Sequence, residues 1–103
     1  MYQLRIYTIA DPEAAEQYYS VHWQRHIDSL KKFGIITEHI FKELTAEGHT
    51  RVIGLVRYEE GTDVEAANAA YMQSAEFCAD MEGFDLRKMV KVEAINLIGT
   101  EVV

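Results

Sequence analysis

Cysteine is nearly absent from this 103-residue chain, where Cys78 stands alone. A single thiol forms no internal disulfide and completes no zinc or dithiol pair, which excludes a cross-linked scaffold and a Cys-pair redox motif. Its place in an apolar helical pattern predicts a small buried side chain. Proline occurs once, at Pro12, so there is no proline-rich linker or tail. Basic clusters are missing too: 10 Lys and Arg stand against 17 Asp and Glu, the net charge is -7, and the densest basic stretch is Lys31-Lys32. Nucleic acid requires grouped cations for its phosphates, so it is excluded as a partner. No apolar run reaches the roughly 20 residues of a bilayer span. The opening Met1-Tyr2-Gln3-Leu4-Arg5 lacks the basic-then-apolar order of a secretion signal, and the expectation is a soluble cytoplasmic protein with no membrane partner. Gly48, Gly54, Gly61 and Gly99 are isolated, so no phosphate-cradling loop is present, and no Ser or Cys nucleophile motif appears.

What is present is an ordinary globular balance, 49% hydrophobic and 26% charged. It predicts one domain over residues 1–103 with a two-layer core. Tyr2 to Ile9 reads as a strand. Asp11-Pro12 then offers a cap and a first helical turn, with Glu13 and Glu16 at the positive end of the dipole. The helix is expected to run unbroken to Phe33, with Ala15, Tyr19, His22, His26, Leu30 and Phe33 as its buried stripe and Trp23 and Ile27 beside it. Gly34 stops it. Ile35 to Leu44 and Arg51 to Tyr58 read as strands joined by a hairpin connection over Thr45 to His49. Asp63 caps a second helix carrying Val64, Ala67, Tyr71, Ser74, Cys78 and Met81 on one face, and Met89 to Ile98 is the last strand. The order β-α-β-β-α-β with right-handed crossovers predicts an α+β, ferredoxin-like fold: a four-stranded antiparallel sheet, order 4-1-3-2, with both helices on one face.

The strands are apolar on both faces. Leu4 and Ile6 oppose Tyr7 and Ile9, Val52 and Val56 oppose Ile53 and Leu55, and Val90, Val92 and Ala94 oppose Met89, Ile95 and Leu97. A half-solvated sheet alternates apolar with polar; one buried on both faces need not. With helices for only one face, the other is expected to meet a second copy of the chain, sheet against sheet, as a homodimer.

Arg5 and Tyr7 share a strand face and can together hold a carboxylate or an enolate. The alternative is an ion pair of Arg5 with Glu38 or Glu93 across the sheet. His22 and His26, four apart, fall on one side of a helix, a spacing that suits pocket-lining or acid–base roles as well as hydrogen-bonded structural ones. The zinc-protease motif needs Glu after the first His and finds Trp23 instead, so no metal is expected. Trp23, Tyr18, Tyr19, Tyr71, Phe77 and Phe84 either floor an apolar cavity or fill the core.

The segment Tyr2-Gln3-Leu4-Arg5-Ile6-Tyr7-Thr8-Ile9 resembles the start of the NIPSNAP family, whose first strand typically reads Tyr-Glu-Leu-Arg-x-Tyr. Trp23, His26 and Leu30-Lys31-Lys32-Phe33-Gly34 extend the resemblance through the first helix. It implies a dimeric α+β barrel, in a superfamily shared with antibiotic-biosynthesis monooxygenases and haem-handling proteins. No Asn lies in the first strand, where the haem-degrading relatives use one with Trp and His, which argues against haem chemistry; no cofactor is expected, the alternative being haem bound through His22 or His26. The resulting expectation is a homodimer binding a small aromatic or apolar molecule, with cofactor-free oxygenation or isomerisation as its chemistry. Arg5, Tyr7 and His26 are then the candidate catalytic residues, and His22, Trp23 and Tyr58 the candidate ligand contacts. The competing expectation is a non-catalytic dimer whose core is filled.

Overall fold

Asp11 starts the first helix as its chemistry dictates: its backbone is extended, and its carboxylate accepts the Ala14 N–H at 2.8 Å with Pro12 in the first turn. The computed structural model describes residues 1–44 and 47–100. Strands β1 (Tyr2–Ile9), β2 (Ile35–Lys42), β3 (Thr50–Tyr58) and β4 (Met89–Leu97) form one antiparallel sheet in the order β2-β3-β1-β4. This is the expected α+β topology. Thr45 and Ala46 of the expected hairpin connection lie outside the described residues. No helix among the described residues is long and apolar enough to cross a membrane.

Both expected helices are interrupted, and both interruptions shape the site. The first splits into α1 (Pro12–Gln17), a π-helical turn over Tyr18–His22, and α2 (Trp23–Lys31). The Trp23 N–H bonds the Tyr18 carbonyl five residues back, so one turn holds an extra residue. The inward stripe therefore shifts. Tyr18 is buried in place of Tyr19, and Trp23 is fully enclosed rather than flanking. The second helix splits into α3 (Val64–Met72) and α4 (Ala75–Asp80) at Ser74, whose extended backbone and Phe77-capping hydroxyl restart the helix. Cys78, expected inside, lies on the exposed side of α4, while Phe77 and Met81 pack inward.

Register divides the sheet cleanly. Gln3, Arg5, Tyr7 and Ile9 pair with Val56, Gly54, Val52 and Thr50, and these positions face the helices. Leu4, Leu55 and Ile95 lie side by side on the opposite face, next to Ile6 and Ile53. A bulge between Thr37 and His39 reverses the alternation of β2, so Ile40 joins the helix side and Phe41 the open side. The open face is uncovered: Phe41 and Ile95 are 50% and 46% exposed.

Gly54 is where the layers come closest. A Cβ placed there would sit 2.6 Å from Cζ2 of Trp23, so the indole lies directly on the backbone of β3 beside Arg5. Gly54→Ala is accordingly expected to destabilise the fold by about 1–3 kcal/mol, the usual range for overpacking. Chemical denaturation checks this, with partial recovery expected when Trp23→Phe is added; a neutral Gly54→Ala would overturn the close-approach argument.

Candidate functional site

Between the helices and the β1–β4 half of the sheet lies a cleft of about 350 Å³. The helices pack mainly on β2, β3 and β1, and Val92 on the helix side of the edge strand β4 remains 56% exposed. Gln3, Arg5, Tyr7, Val92 and Ala94 line the sheet side; Tyr18, His26, Asn68, Tyr71, Phe77 and Met81 line the helix side. Arg5 and Tyr7, separated by two residues on a strand, thus meet His26 from α2 in one cavity.

Arg5 is held entirely by neutral groups. Its Nε donates to Gln3 Oε1 at 2.9 Å, and its Nη2 donates to Asn68 Oδ1 at 2.6 Å and Tyr58 Oη at 3.1 Å. Tyr58 Oη also accepts from Asn68 Nδ2 at 2.7 Å and donates to Gln3 Oε1 at 2.9 Å. Gln3 Nε2 donates in turn to Asn96 Oδ1 at 2.9 Å. Burial disfavours the Arg5 charge, but the Tyr7 and Tyr58 phenols more than offset it. The ion pair with Glu38 or Glu93 does not form. Glu38 accepts from Arg57 at 2.7 Å, and Glu93, opposite Ile6 on the open face, stands 3.6 Å from Lys91.

His26 sits in a second network. The Asp80 carboxylate, buried, accepts from Tyr71 Oη at 2.6 Å and from Ser29 Oγ at 3.0 Å. Because Tyr71 gives its only proton to Asp80, its oxygen is left to accept from His26 Nδ1, its other partner. His26 Nδ1 also lies 3.4 Å from Asp80 Oδ2. The neutral ring consequently carries its proton on Nδ1 and presents the lone pair of Nε2 to Tyr18 Oη, 3.4 Å away at the cleft wall. Burial lowers the His26 pKa to about 4, although the Asp80 carboxylate pulls the other way. Burial likewise raises the Tyr18 and Tyr71 phenols, so both stay protonated.

The other sequence candidates lie behind the cleft. His22 is fully enclosed: its Nδ1 donates to the Asp80 carbonyl at 2.8 Å and its Nε2 meets Gln17 Nε2 at 3.1 Å. Trp23 packs edge-on to His26 and Tyr7, with ring centroids at 5.2 and 6.0 Å. Tyr58 orients Arg5 from below. No group of three or more His, Cys, Asp or Glu side chains among the described residues is placed to hold a metal. Gln3, Asn68 and Asp80 are the residues that sequence reasoning missed. Gln3 was within reach, being two residues before Arg5 on the same strand face. Asp80 was not, because only the break at Ser74 brings it to Tyr71.

No family model and no curated protein matches the sequence. Among solved structures, a NIPSNAP domain protein from Burkholderia xenovorans superposes with a TM-score of 0.71 over 96% of this chain and 93% of its own, at 9% identity. A protein from Nitrosomonas europaea, provisionally assigned as an antibiotic biosynthesis monooxygenase, gives 0.57 over 98% of this chain and 100% of its own, at 16% identity. The chain thus shares the fold of these two structures, a ferredoxin-like α+β unit. At these identities the likeness is one of fold.

The buried imidazole sets a pH dependence. His26 titrates near 4 in the fold and near 6.5 when unfolded. Between those values the unfolded chain binds more protons, so this group's contribution is complete above about pH 6.5 and is lost as pH falls toward 4. The difference amounts to about 3 kcal/mol. His26→Gln should show a flatter stability profile over that window than the parent chain, measured by urea denaturation. Nitrogen NMR of the parent should find the proton on Nδ1 at neutral pH; a proton on Nε2 would overturn the network assignment.

Proposed function

We propose that the protein is a homodimer that binds a small aromatic or apolar molecule in the cleft and acts on it by proton transfer. The observation that carries this reading is the meeting of Arg5 and His26 in a single, mostly apolar cavity. A neutral imidazole with its lone pair toward the cleft is in the form required of a general base. Arg5, already oriented by Gln3, Tyr58 and Asn68, is suited to stabilise an oxyanion as charge develops on the substrate. The proton leaves a carbon next to a carbonyl and is taken up at Nε2 of His26, directly or by way of Tyr18. The electron pair of the broken C–H bond moves onto the carbonyl oxygen as an enolate beside Arg5, and the Asp80 carboxylate faces the imidazolium that results. Reprotonation at another carbon completes an isomerisation; cofactor-free oxygenation begins from the same enolate with dioxygen as the oxidant and source of the oxygen atom. The likeness in fold to the Nitrosomonas protein supports this chemistry by analogy. A filled, non-catalytic core fits less well with an open cleft of about 350 Å³.

The dimer is supported by the open sheet face, where Leu4, Ile6, Ile53, Leu55, Phe41 and Ile95 are neighbours in the strand register. Sedimentation at micromolar concentration should give about twice the 11.8 kDa chain mass, and Leu55→Glu, at the centre of that face, should give a monomer. A monomeric parent chain would sink the assembly. For the cleft, the neutral fluorophore N-phenyl-1-naphthylamine should bind with enhanced emission, and Phe77→Arg should abolish that binding. Absence of binding to the parent chain would remove the ligand reading.

A further inference from the structure

We propose that the cleft selects monoanionic ligands, molecules with an apolar body and a single carboxylate-type group that docks on Nη1 of Arg5. This rests on the cleft being a small-molecule site and adds the charge class of its occupant. Arg5 is the only charged residue among those lining the cavity. A guanidinium has five N–H donors. The one on Nε and those on Nη2 are directed to Gln3, Tyr58 and Asn68, and the Tyr7 phenol lies close to the guanidinium, whereas no donor hydrogen bond from Nη1 is formed among the described residues. The acceptors around this partly buried cation are neutral, so it faces no counter-charge among the described residues.

No carboxylate among the described residues supplies that charge. The Asp80 carboxylate stands behind Tyr71, with its oxygens engaged by Tyr71 and Ser29. Glu38 and Glu93 are paired elsewhere, Glu93 on the far side of the sheet. A ligand anion is therefore the natural complement, and one cation neutralises one negative charge, whereas the second charge of a phosphate monoester would enter the apolar cavity uncompensated.

The rest of the cavity describes the body of the ligand. Met72, Phe77, Met81, Leu86, Met89 and Val92 form an apolar wall. Met72 and Leu86 remain 58% and 63% exposed, an apolar mouth that an amphiphile would cover. Three methionines in the wall, unbranched and adaptable, suit a body whose shape is not tightly specified.

The test uses matched probes on the unmodified protein: 1-naphthoate, 1-naphthamide and 1-naphthyl phosphate, each competing with bound N-phenyl-1-naphthylamine at low ionic strength. Naphthoate should displace the reporter at a concentration at least tenfold lower than either of the others. Arg5→Gln should erase that preference, and Arg5→Lys should retain part of it. Equal competition by the amide overturns the proposal, as does a stronger phosphate, a failure of all three, or a preference that survives in Arg5→Gln. If the reporter itself does not bind, it is the small-molecule site that falls. The comparison among probes on the parent chain decides the matter even if both variants fail to fold.

Discussion

The carboxylate of Asp80 is the joint from which the cleft is hung. A buried charge must have its lone pairs engaged, and this one draws Ser29 from α2 and Tyr71 from α3 onto the last residue of α4. The carbonyl of the same residue receives His22 and Arg25. An unbroken helix would set Tyr71 and Asp80 about 13 Å apart along its axis. Closing that gap requires the restart at Ser74, and closing it also fixes the Tyr71 hydroxyl against His26. The protonation state of the histidine is thus inherited from helix packing, and so is the separation of helices from β4 that leaves the cavity open.

A second constraint works from the sheet. β1 is central, so its two faces serve two different environments. Arg5 and Tyr7 look into the cleft, while Leu4 and Ile6 look onto the uncovered apolar face. Gly54 opposite Arg5 lets Trp23 drop onto β3, and the indole then backs both Tyr7 and His26. Bulk placed behind the site and absence of bulk in front of it are two outcomes of the same packing.

The topology was legible because strand alternation and helix caps are local signals. Asp11, Asp63 and Gly34 mark boundaries that depend on their own backbone chemistry, and the structure places them there. The apolar character of both strand faces was equally plain. The interruptions were not. Periodicity assumes 3.6 residues per turn, so an extra residue in one turn exchanges Tyr19 for Tyr18, and a mid-pattern Ser74 reads as one more helical position until it caps a new helix. What lies downstream of those two events escaped as well: the outward Cys78 and the role of Asp80. The bulge in β2 escaped for the same reason, and it exchanges Ile40 and Phe41 between the two faces.

The unpaired Arg5 cation acquires its significance from the rest of the molecule. The chain carries a net charge of -7, so its long-range field repels anions. At physiological ionic strength, however, that field fades over about 8 Å. Inside the cleft, where apolar walls lower the local dielectric, the Arg5 charge acts at short range and with little competition from water. An anion without an apolar body gains nothing from the walls and still meets the repulsive surface. An apolar molecule without charge gains the walls but leaves Arg5 desolvated and unpaired. Only a molecule with both features recovers both terms, so an acidic exterior and a lone interior cation together act as a filter for amphiphilic anions.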